Sequence, residues 1–204
     1  MKQYFIILFI LSLTHINAQK TDDLLEKIEL KEIDNFNFKE KNFDITSVYN
    51  LEKNFLVIGN YIPINGKITF PDTIKDYGIR ILFLNDKKEI TYKSHGLMDV
   101  WHCNPTFYKN GSKFILVCQL SMEQDCGLEV YVIENTNIKF IGNINVETSS
   151  EESQVINFLK IRKQGEKLIF SFKSDTLLLN INDKFIKKSK VEYEYFKNKL
   201  VLLN

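Results

Sequence analysis

The residues best suited to chemistry fall in one segment of the chain. Beyond residue 18 the sequence has two histidines and one tryptophan, and all three lie close together: His95, Trp101 and His102. Imidazole and thiolate groups suit zinc and copper, which makes His95, His102 and Cys103 candidate metal ligands. The candidate binding residues are the polar and aromatic side chains of the segment, namely His95, Asp99, Trp101 and His102.

The spacing within this segment argues against a ready-made catalytic or metal site. Asp99 lies four residues after His95 and three before His102, a spacing that converges on one face only in a helix. Gly96 disfavours a helix there. Ser94, His95 and Asp99 could serve as nucleophile, base and orienting acid, but a triad is defined by geometry, not by closeness in sequence. The alternative is a structural role in which the segment fills a gap in the core.

Three cysteines, Cys103, Cys118 and Cys126, are candidates for a disulfide, because the chain begins with an export signal that is described below. Cys118 ends one predicted strand and Cys126 begins the next, which favours a bridge across that hairpin. A bridge between Cys103 and Cys126 is the second pairing, and three buried thiols are the third possibility. Any bridge requires Cα atoms within roughly 7 Å, which the sequence alone does not establish.

Neighbouring acids and exposed aromatic residues raise two further possibilities. A glycosidase needs two carboxylates across a cleft, and the neighbouring acids are Glu123 with Asp125 and Glu151 with Glu152. Loop acids beside serine and glutamine are more typical of a solvated surface. Aromatic side chains could form a platform for a sugar, although in strands they usually belong to the core; the candidates are Tyr61, Tyr77, Tyr92 and Trp101.

Charge and composition argue against several classes of partner. The chain has 27 Lys and Arg against 26 Asp and Glu; without residues 1–18, which contain Lys2 and no acid, the numbers are 26 and 26. A balanced surface offers no electrostatic attraction for nucleic acid or an anionic membrane. The two arginines, Arg80 and Arg162, are few for phosphate recognition. No glycine-rich phosphate loop and no Gly-x-Ser-x-Gly elbow occurs, so we expect no cofactor.

The first 18 residues have the three parts of a secretory signal peptide. Lys2 is followed by an apolar run from Tyr4 to Leu13 and then by a short polar stretch that ends at Ala18. The run is about ten residues long, against the roughly 20 that cross a bilayer as a helix, and no other stretch approaches that length. We therefore predict cleavage after Ala18, export to the periplasm or beyond, and no membrane span.

From Phe43 onward the pattern predicts an all-β fold. Short runs rich in Val, Ile, Phe and Tyr recur between turn signals, at 55–58, 79–84, 114–117, 128–133 and 168–172. Asn65-Gly66 and Asn110-Gly111 supply the positive φ angles that a tight hairpin requires, and Gln164-Gly165 marks a further turn. Strands do not alternate with helices, which argues against a parallel α/β sheet.

The predicted strands recur in a regular order. The segment 76–86 matches the segment 125–135, which lies 49 residues later, and a shorter match begins at Asp175. Each unit therefore has two hairpins, the layout of a four-stranded propeller blade. We predict an antiparallel meander of about three blade-like units, arranged as a small propeller or as a sandwich; the units lie near 43–93, 105–146 and 154–203.

Residues 19–42 are predicted to lead into a single β domain that covers residues 43–204. Within this leader, residues 21–29 carry apolar side chains at helical spacing, with Asp22 as a candidate N-cap. The pattern therefore predicts a short N-terminal helix. An extended leader is the alternative, since Ile28 and later apolar residues also fit the alternation of a strand.

Two functions from different classes follow from these patterns. The first is a non-enzymatic binding protein that contacts an unknown protein or glycan ligand through loops 60–77 and 94–104. The second is a metal-binding or hydrolytic enzyme centred on residues 94–103, to which folding would bring Glu123 or Asp125. Evenly spaced β units without a catalytic motif favour the first.

Overall fold

The computed structural model describes residues 23–62, 78–96, 100, 102–122 and 125–203. The residues named above that lie outside these ranges are the predicted signal peptide, Asp22, the Asn65-Gly66 turn, Tyr77, Asp99, Trp101 and Glu123.

The described residues form fifteen β-strands and one short 3-10 helix, Val155–Phe158. The strands are β1 (Asp23–Leu24), β2 (Glu26–Ile28), β3 (Phe43–Leu51), β4 (Asn54–Tyr61), β5 (Gly78–Leu84), β6 (Ile90–Lys93), β7 (His102–Asn110), β8 (Lys113–Ser121), β9 (Asp125–Glu134), β10 (Asn137–Ile144), β11 (Val146–Thr148), β12 (Leu159–Gln164), β13 (Lys167–Ile181), β14 (Lys184–Phe196) and β15 (Lys199–Leu202).

The strands build three antiparallel sheets, each made mainly of strands that follow one another in the chain. Sheet I has the order β3-β4-β5-β6, and sheet II has the order β10-β9-β8-β7-β2. Sheet III has the order β1-β12-β13-β14-β15, with β11 paired to β13. The prediction of an all-β, antiparallel fold is therefore confirmed.

The core follows from strands that are apolar on both faces. In β8, Ile115 packs in a cluster with residues of sheet III, while its neighbour Leu116 packs in a cluster with residues of sheet I. Successive side chains of a strand point to opposite faces, so the apolar run of β8 buries both. Sheet II therefore contributes to two cores. A third cluster covers the other face of sheet I, where Phe36 and Phe38 pack against it.

Two tight hairpins have glycine in the left-handed region. Asn110 pairs with Lys113, and Gly111 between them has a φ of 62°. Gln164 pairs with Lys167, and Gly165 also has a φ of 62°. Glycine adopts this conformation without steric cost, which is why these dipeptides were good predictors of a hairpin.

The third copy of the predicted repeat is wrong in its detail. Asp175 does not open a new strand, because it lies inside β13, at an irregularity in the pairing with β14 between Lys173 and Leu177. Beyond this irregularity β13 and β14 continue as a long hairpin, and the residues 146–148 of β11 pair with its outer half. The chain therefore lengthens β13 and β14 where the sequence pattern suggested a loop.

The N-terminal residues 23–33, here called the strap, run along one edge of all three sheets. The strand β1 pairs with β12 of sheet III, and β2 pairs with β7 of sheet II. Glu32 then bridges to Tyr49 of sheet I. Each partner is the first long strand of its sheet, so the strap covers three edges in succession.

The short helix predicted over residues 21–29 is wrong for the residues that the structure describes, because 23–24 and 26–28 are extended. The sheet edges explain the difference. They offer hydrogen-bond partners, as the 2.8 Å bond from the Leu25 N–H to the Ile161 carbonyl shows. Leu25 is also buried between sheets II and III, an environment that a local helix would not give.

Within the described part of the chain, no helix has the length and apolar character that crossing a membrane requires.

Candidate functional site

A buried carboxylate lies at the centre of the candidate site. Glu129 is on β9, between apolar neighbours, and is only 1% exposed although it is an acidic residue. Glu129 and Tyr131 are two residues apart and therefore point to the same face, toward sheet I. Cys118 of β8 lies directly across from Glu129. The strand pairing thus fixes the carboxylate on a rigid element.

The segment after β6 places His95 over this carboxylate. Ser94 holds the start of the segment, since its N–H donates to the Ile81 carbonyl at 2.9 Å. The Ser94 Oγ accepts from the Ile81 N–H at 2.9 Å and donates to the His95 carbonyl at 3.0 Å. Ser94 is therefore bonded to the backbone of β5 through both its N–H and its hydroxyl, and this role explains why Ser94 is buried.

Glu129 contacts two side chains. The Tyr131 hydroxyl donates to Oε2 at 2.6 Å, and Nε2 of His95 lies 2.7 Å from Oε1. The Glu129 side chain is 2% exposed while that of His95 is 48% exposed. The pair therefore joins a carboxylate that is shielded from solvent to an imidazole that is exposed to solvent.

The carboxylate changes the protonation of its neighbours. The hydrogen bond with Glu129 raises the pKa of His95, opposed by burial and by the positive charge of Arg80. Burial and then the Glu129 charge raise the pKa values of Tyr92 and Tyr131. Both phenols therefore remain neutral over the physiological range, whereas an imidazole can change its charge there.

A second buried charge lies beside the same segment. Arg80 is 1% exposed, and the Gly96 Cα leaves no room for a side chain, because a Cβ there would overlap the Arg80 guanidinium. Arg80 and Glu129 lie 49 residues apart and occupy equivalent positions in the repeat of the sequence. Two buried charges of opposite sign thus face the segment that carries His95.

Aromatic rings surround the His95–Glu129 pair. The ring of His95 contacts Phe140 edge to face, with 5.1 Å between centroids. Tyr131 lies 5.3 Å from Phe140 and 6.5 Å from Tyr92. Aromatic surroundings exclude water from the inner side of the pair, so the contact with the carboxylate is screened less than a surface pair.

Cys103 and Cys118 are buried, and Cys126 is partly buried. Cys103 and Cys118 approach each other: Cys103 pairs with Leu120, which places Cys118 diagonally across the ladder on the same face. Burial first, and then a hydrogen bond with Cys103, raises the pKa of Cys118 well above its ordinary value. Neither predicted bridge, Cys118–Cys126 or Cys103–Cys126, is the contact that the strand register favours.

The predicted metal ligands do not converge. His102 is exposed and Cys103 is buried, because successive residues of β7 point to opposite faces. His95 instead meets Glu129. Among the residues that the structure describes, no three His, Cys, Asp or Glu side chains come close enough to hold a metal ion. Asp99, which the prediction also used, lies outside the described residues.

Among the other described candidates, Tyr92 lies beside this pair, whereas Glu151 and Glu152 line a separate cleft. Tyr61 is buried and its hydroxyl donates to Glu40 at 2.8 Å, so it belongs to the core and offers no sugar platform. Tyr92 packs against Tyr131. Glu151 and Glu152 are exposed and line an open cleft next to sheet III.

Sequence reasoning missed Glu129, which is the residue that gives the site its chemistry. The signal was present, since a lone acid interrupts the apolar run 128–133. A buried acid in such a run needs a partner, but the sequence does not say which side chain lies opposite. His95 was identified as a candidate, and its partner came from a strand of another sheet.

A half-exposed imidazole oriented by a buried carboxylate can do two things. It can bind a ligand through its outward edge, or it can move a proton as a general base. Comparison of the chain with protein-family models, with curated proteins and with solved structures gives no match.

Proposed function

We propose that the protein is an exported, non-enzymatic binding protein that takes a protein or glycan ligand at the surface around His95. The observation that carries the proposal is the half-exposed imidazole: the His95 side chain is 48% exposed, and its Nε2 lies 2.7 Å from Oε1 of the buried Glu129. A side chain that is already fixed loses little conformational entropy when a ligand binds. His95 is therefore suited to anchor a ligand.

The surroundings of His95 support the same function. Phe140 gives an aromatic edge next to the imidazole, and His102 is exposed at the start of β7. Asp99 and Trp101, the other predicted binding residues, lie in the connection between these two histidines. Aromatic side chains such as those of Phe140 and Trp101 are enriched where proteins bind their partners.

The test uses the mature chain, residues 19–204, on a glycan array and in pull-down from the exported fraction. His95→Gln is the informative variant, because glutamine can still donate to Glu129 but lacks the imidazole. We expect ligand binding to weaken at least about tenfold in His95→Gln, with the melting temperature changed by no more than a few degrees. Lys53→Gln, at an exposed turn, is the matched control and should bind like the wild type.

Two results would contradict the proposal. A folded mature protein that binds no member of the array and captures nothing reproducibly would remove the binding function. Equal binding by the wild type and by His95→Gln would keep the function but move it away from His95.

Export has its own measurement. The leader pattern of residues 1–18 supports it, and we expect the protein recovered from outside the cytoplasm to begin at Gln19. Mass spectrometry of the intact chain decides this. A protein that retains Met1 and is recovered from the cytoplasm would contradict export.

A hydrolytic enzyme is the second candidate, and the His95–Glu129 pair is the observation in its favour. A carboxylate that holds one ring nitrogen leaves the other as a base toward a water molecule or a substrate. Hydrolysis that disappears in a His95→Ala/His102→Ala double variant would favour this function. Elemental analysis of the purified protein tests the metal-dependent form of the same hypothesis.

We also infer that the three sheets stack as layers in an open, sandwich-like arrangement. Sheet II has apolar clusters on both faces, which supports stacking. The ion pairs Arg162–Glu192 and Lys167–Glu194 lie on the side of sheet III away from sheet II. Such a charged face is suited to solvent rather than to a closing contact with sheet I. A crystal structure in which sheets I and III pack face to face would favour a closed propeller.

A further inference from the structure

An open cleft beside sheet III shares no residue with the His95 site. It encloses about 880 Å³, within the range of roughly 300–1,000 Å³ that small-molecule sites occupy. One side is the outer half of the β13–β14 hairpin, and the other is the connection 148–157. The hairpin extension that the sequence pattern did not predict is thus what creates the cleft.

The floor of the cleft is a strip of sheet that carries one exposed aromatic ring. Phe185 of β14 is 55% exposed and lines the cleft together with Leu178 of β13. Glu147 of β11 lies directly across from Leu178. An aromatic ring on the open floor of a polar cleft has no core to fill, and its apolar face is available to a ligand.

The wall of the cleft is held in place before any ligand arrives. The Ser149 N–H donates to the Thr176 carbonyl at 2.9 Å, and the Ser150 N–H donates to the Thr148 Oγ1 at 3.1 Å. At the far end the Ile156 N–H donates to the buried Gln119 side chain at 2.9 Å. Because the wall is already fixed, the binding of a ligand costs less conformational entropy.

The polar groups of the cleft set the charge of its ligand. Hydroxyl and amide side chains line it, together with the carboxylates Glu147, Glu151 and Glu152. Carboxylates accept hydrogen bonds from hydroxyl groups and repel anions. The cleft therefore suits a ligand rich in hydroxyl groups and without negative charge.

We propose that this cleft is a second binding site and that its ligand is a neutral oligosaccharide. A sugar ring presents an apolar C–H face, which stacks on Phe185. Its equatorial hydroxyls donate hydrogen bonds to the carboxylates of the cleft and accept them from the amide groups. The proposal goes beyond the function proposed for His95, because neither site uses the residues of the other.

The experiment measures binding of neutral oligosaccharides of hexoses and of N-acetylhexosamines to the full mature protein by calorimetry. We expect Phe185→Ala to weaken binding at least tenfold and Phe185→Tyr to retain it, because tyrosine keeps the ring. Ile186→Ala is the matched control, since Ile186 is the next residue of the same strand, is also exposed and points to the opposite face. Lys53→Gln, at an exposed turn apart from both sites, should bind the sugar like the wild type.

Several outcomes would overturn the proposal. One is a folded protein that binds none of the neutral oligosaccharides. Another is equal binding by Phe185→Ala and the wild type, and a third is a preference for sulfated or uronate-containing sugars. Sugar binding that is lost in His95→Gln but kept in Phe185→Ala would overturn the cleft and support the His95 site, so the two proposals fail separately.

Discussion

At the scale of single residues, the site depends on a carboxylate that cannot reach water. The Glu129 side chain is 2% exposed. Its Oε2 accepts from the Tyr131 hydroxyl, and its Oε1 lies 2.7 Å from Nε2 of His95. Burying a charge is favourable only when partners replace the hydration that it loses. The structure therefore couples the position of the exposed imidazole to a group in the core, and two predictions follow from that coupling.

The contact between His95 and Glu129 makes stability depend on pH. Folding raises the pKa of His95 above its ordinary value of 6.5, so the folded state binds the proton more tightly than the unfolded state. The stabilisation is fully present below pH 6.5 and is lost as the pH rises through the higher pKa of the folded state. We expect it to be below about 1 kcal/mol, because the half-exposed imidazole is screened by solvent.

Urea unfolding of the wild type and of His95→Gln between pH 5 and 9 measures this effect. The difference in the free energy of unfolding between the two proteins should be larger at the acidic end and should level off at the basic end. A difference that is constant across this range would show that the protonated imidazole does not stabilise the fold.

Removal of the buried carboxylate should lower the free energy of unfolding far more than loss of the His95 contact does. Glu129→Ala leaves a cavity and removes the acceptor of the Tyr131 hydroxyl, so we expect a loss of about 2–4 kcal/mol in the free energy of unfolding. Glu134→Ala, at the end of the same strand, is the control. Its pair with Lys113 is half exposed, and we expect a loss under about 1 kcal/mol. Similar losses in the two variants would contradict the role of Glu129.

At the scale of elements, the strap contributes one buried side chain between two sheets. Leu25 joins the cluster between sheets II and III, whereas its neighbour Leu24 is 61% exposed. The strap strands are only two and three residues long. Such short strands have little stability of their own, so the strap depends on the burial of Leu25 and on the edges it pairs with.

A charge at position 25 should therefore release the strap. We expect Leu25→Asp to lower the free energy of unfolding by about 2–4 kcal/mol and to speed proteolysis within residues 23–33. Leu24→Asp is the matched control and should change the free energy of unfolding by less than about 0.5 kcal/mol. Equal proteolysis of both variants would show that the strap is not held through Leu25.

At the scale of the whole molecule, sheet II connects the other two sheets. Ile115 and Leu116 are both 0% exposed and belong to different clusters, one shared with sheet III and one shared with sheet I. Loss of either core would expose an apolar face of sheet II. We therefore expect the three sheets to unfold together.

Alanine substitutions at these two neighbours test that expectation. Ile115→Ala and Leu116→Ala should each lower the free energy of unfolding by about 2–4 kcal/mol and shift one common transition in urea. The absorbance or fluorescence transition and the loss of β-sheet signal in circular dichroism should coincide in both variants. Two separate transitions, each moved by one variant only, would contradict a single cooperative unit.

The sequence predicted well what local patterns determine. Short runs rich in Val, Ile, Phe and Tyr, together with the dipeptide Asn110-Gly111, indicated antiparallel hairpins, because strand composition and positive φ are local properties. The strap was predicted as a helix because its apolar spacing fits both structures, and sheet edges far along the chain decide between them. Glu129 was missed for the same reason: its partner, His95, comes from another sheet.

The strap also orders the assembly of the fold. The residues 23–24 pair with the strand Leu159–Gln164, which the ribosome makes much later. A chain that emerges with its N-terminus first must therefore hold this end unpaired until most of the polypeptide has followed. We expect pulse-labelling hydrogen exchange during refolding to show protection at the Leu25 amide only after the amides of β8 and β9 are protected, which makes the beginning of the chain the last part to be secured.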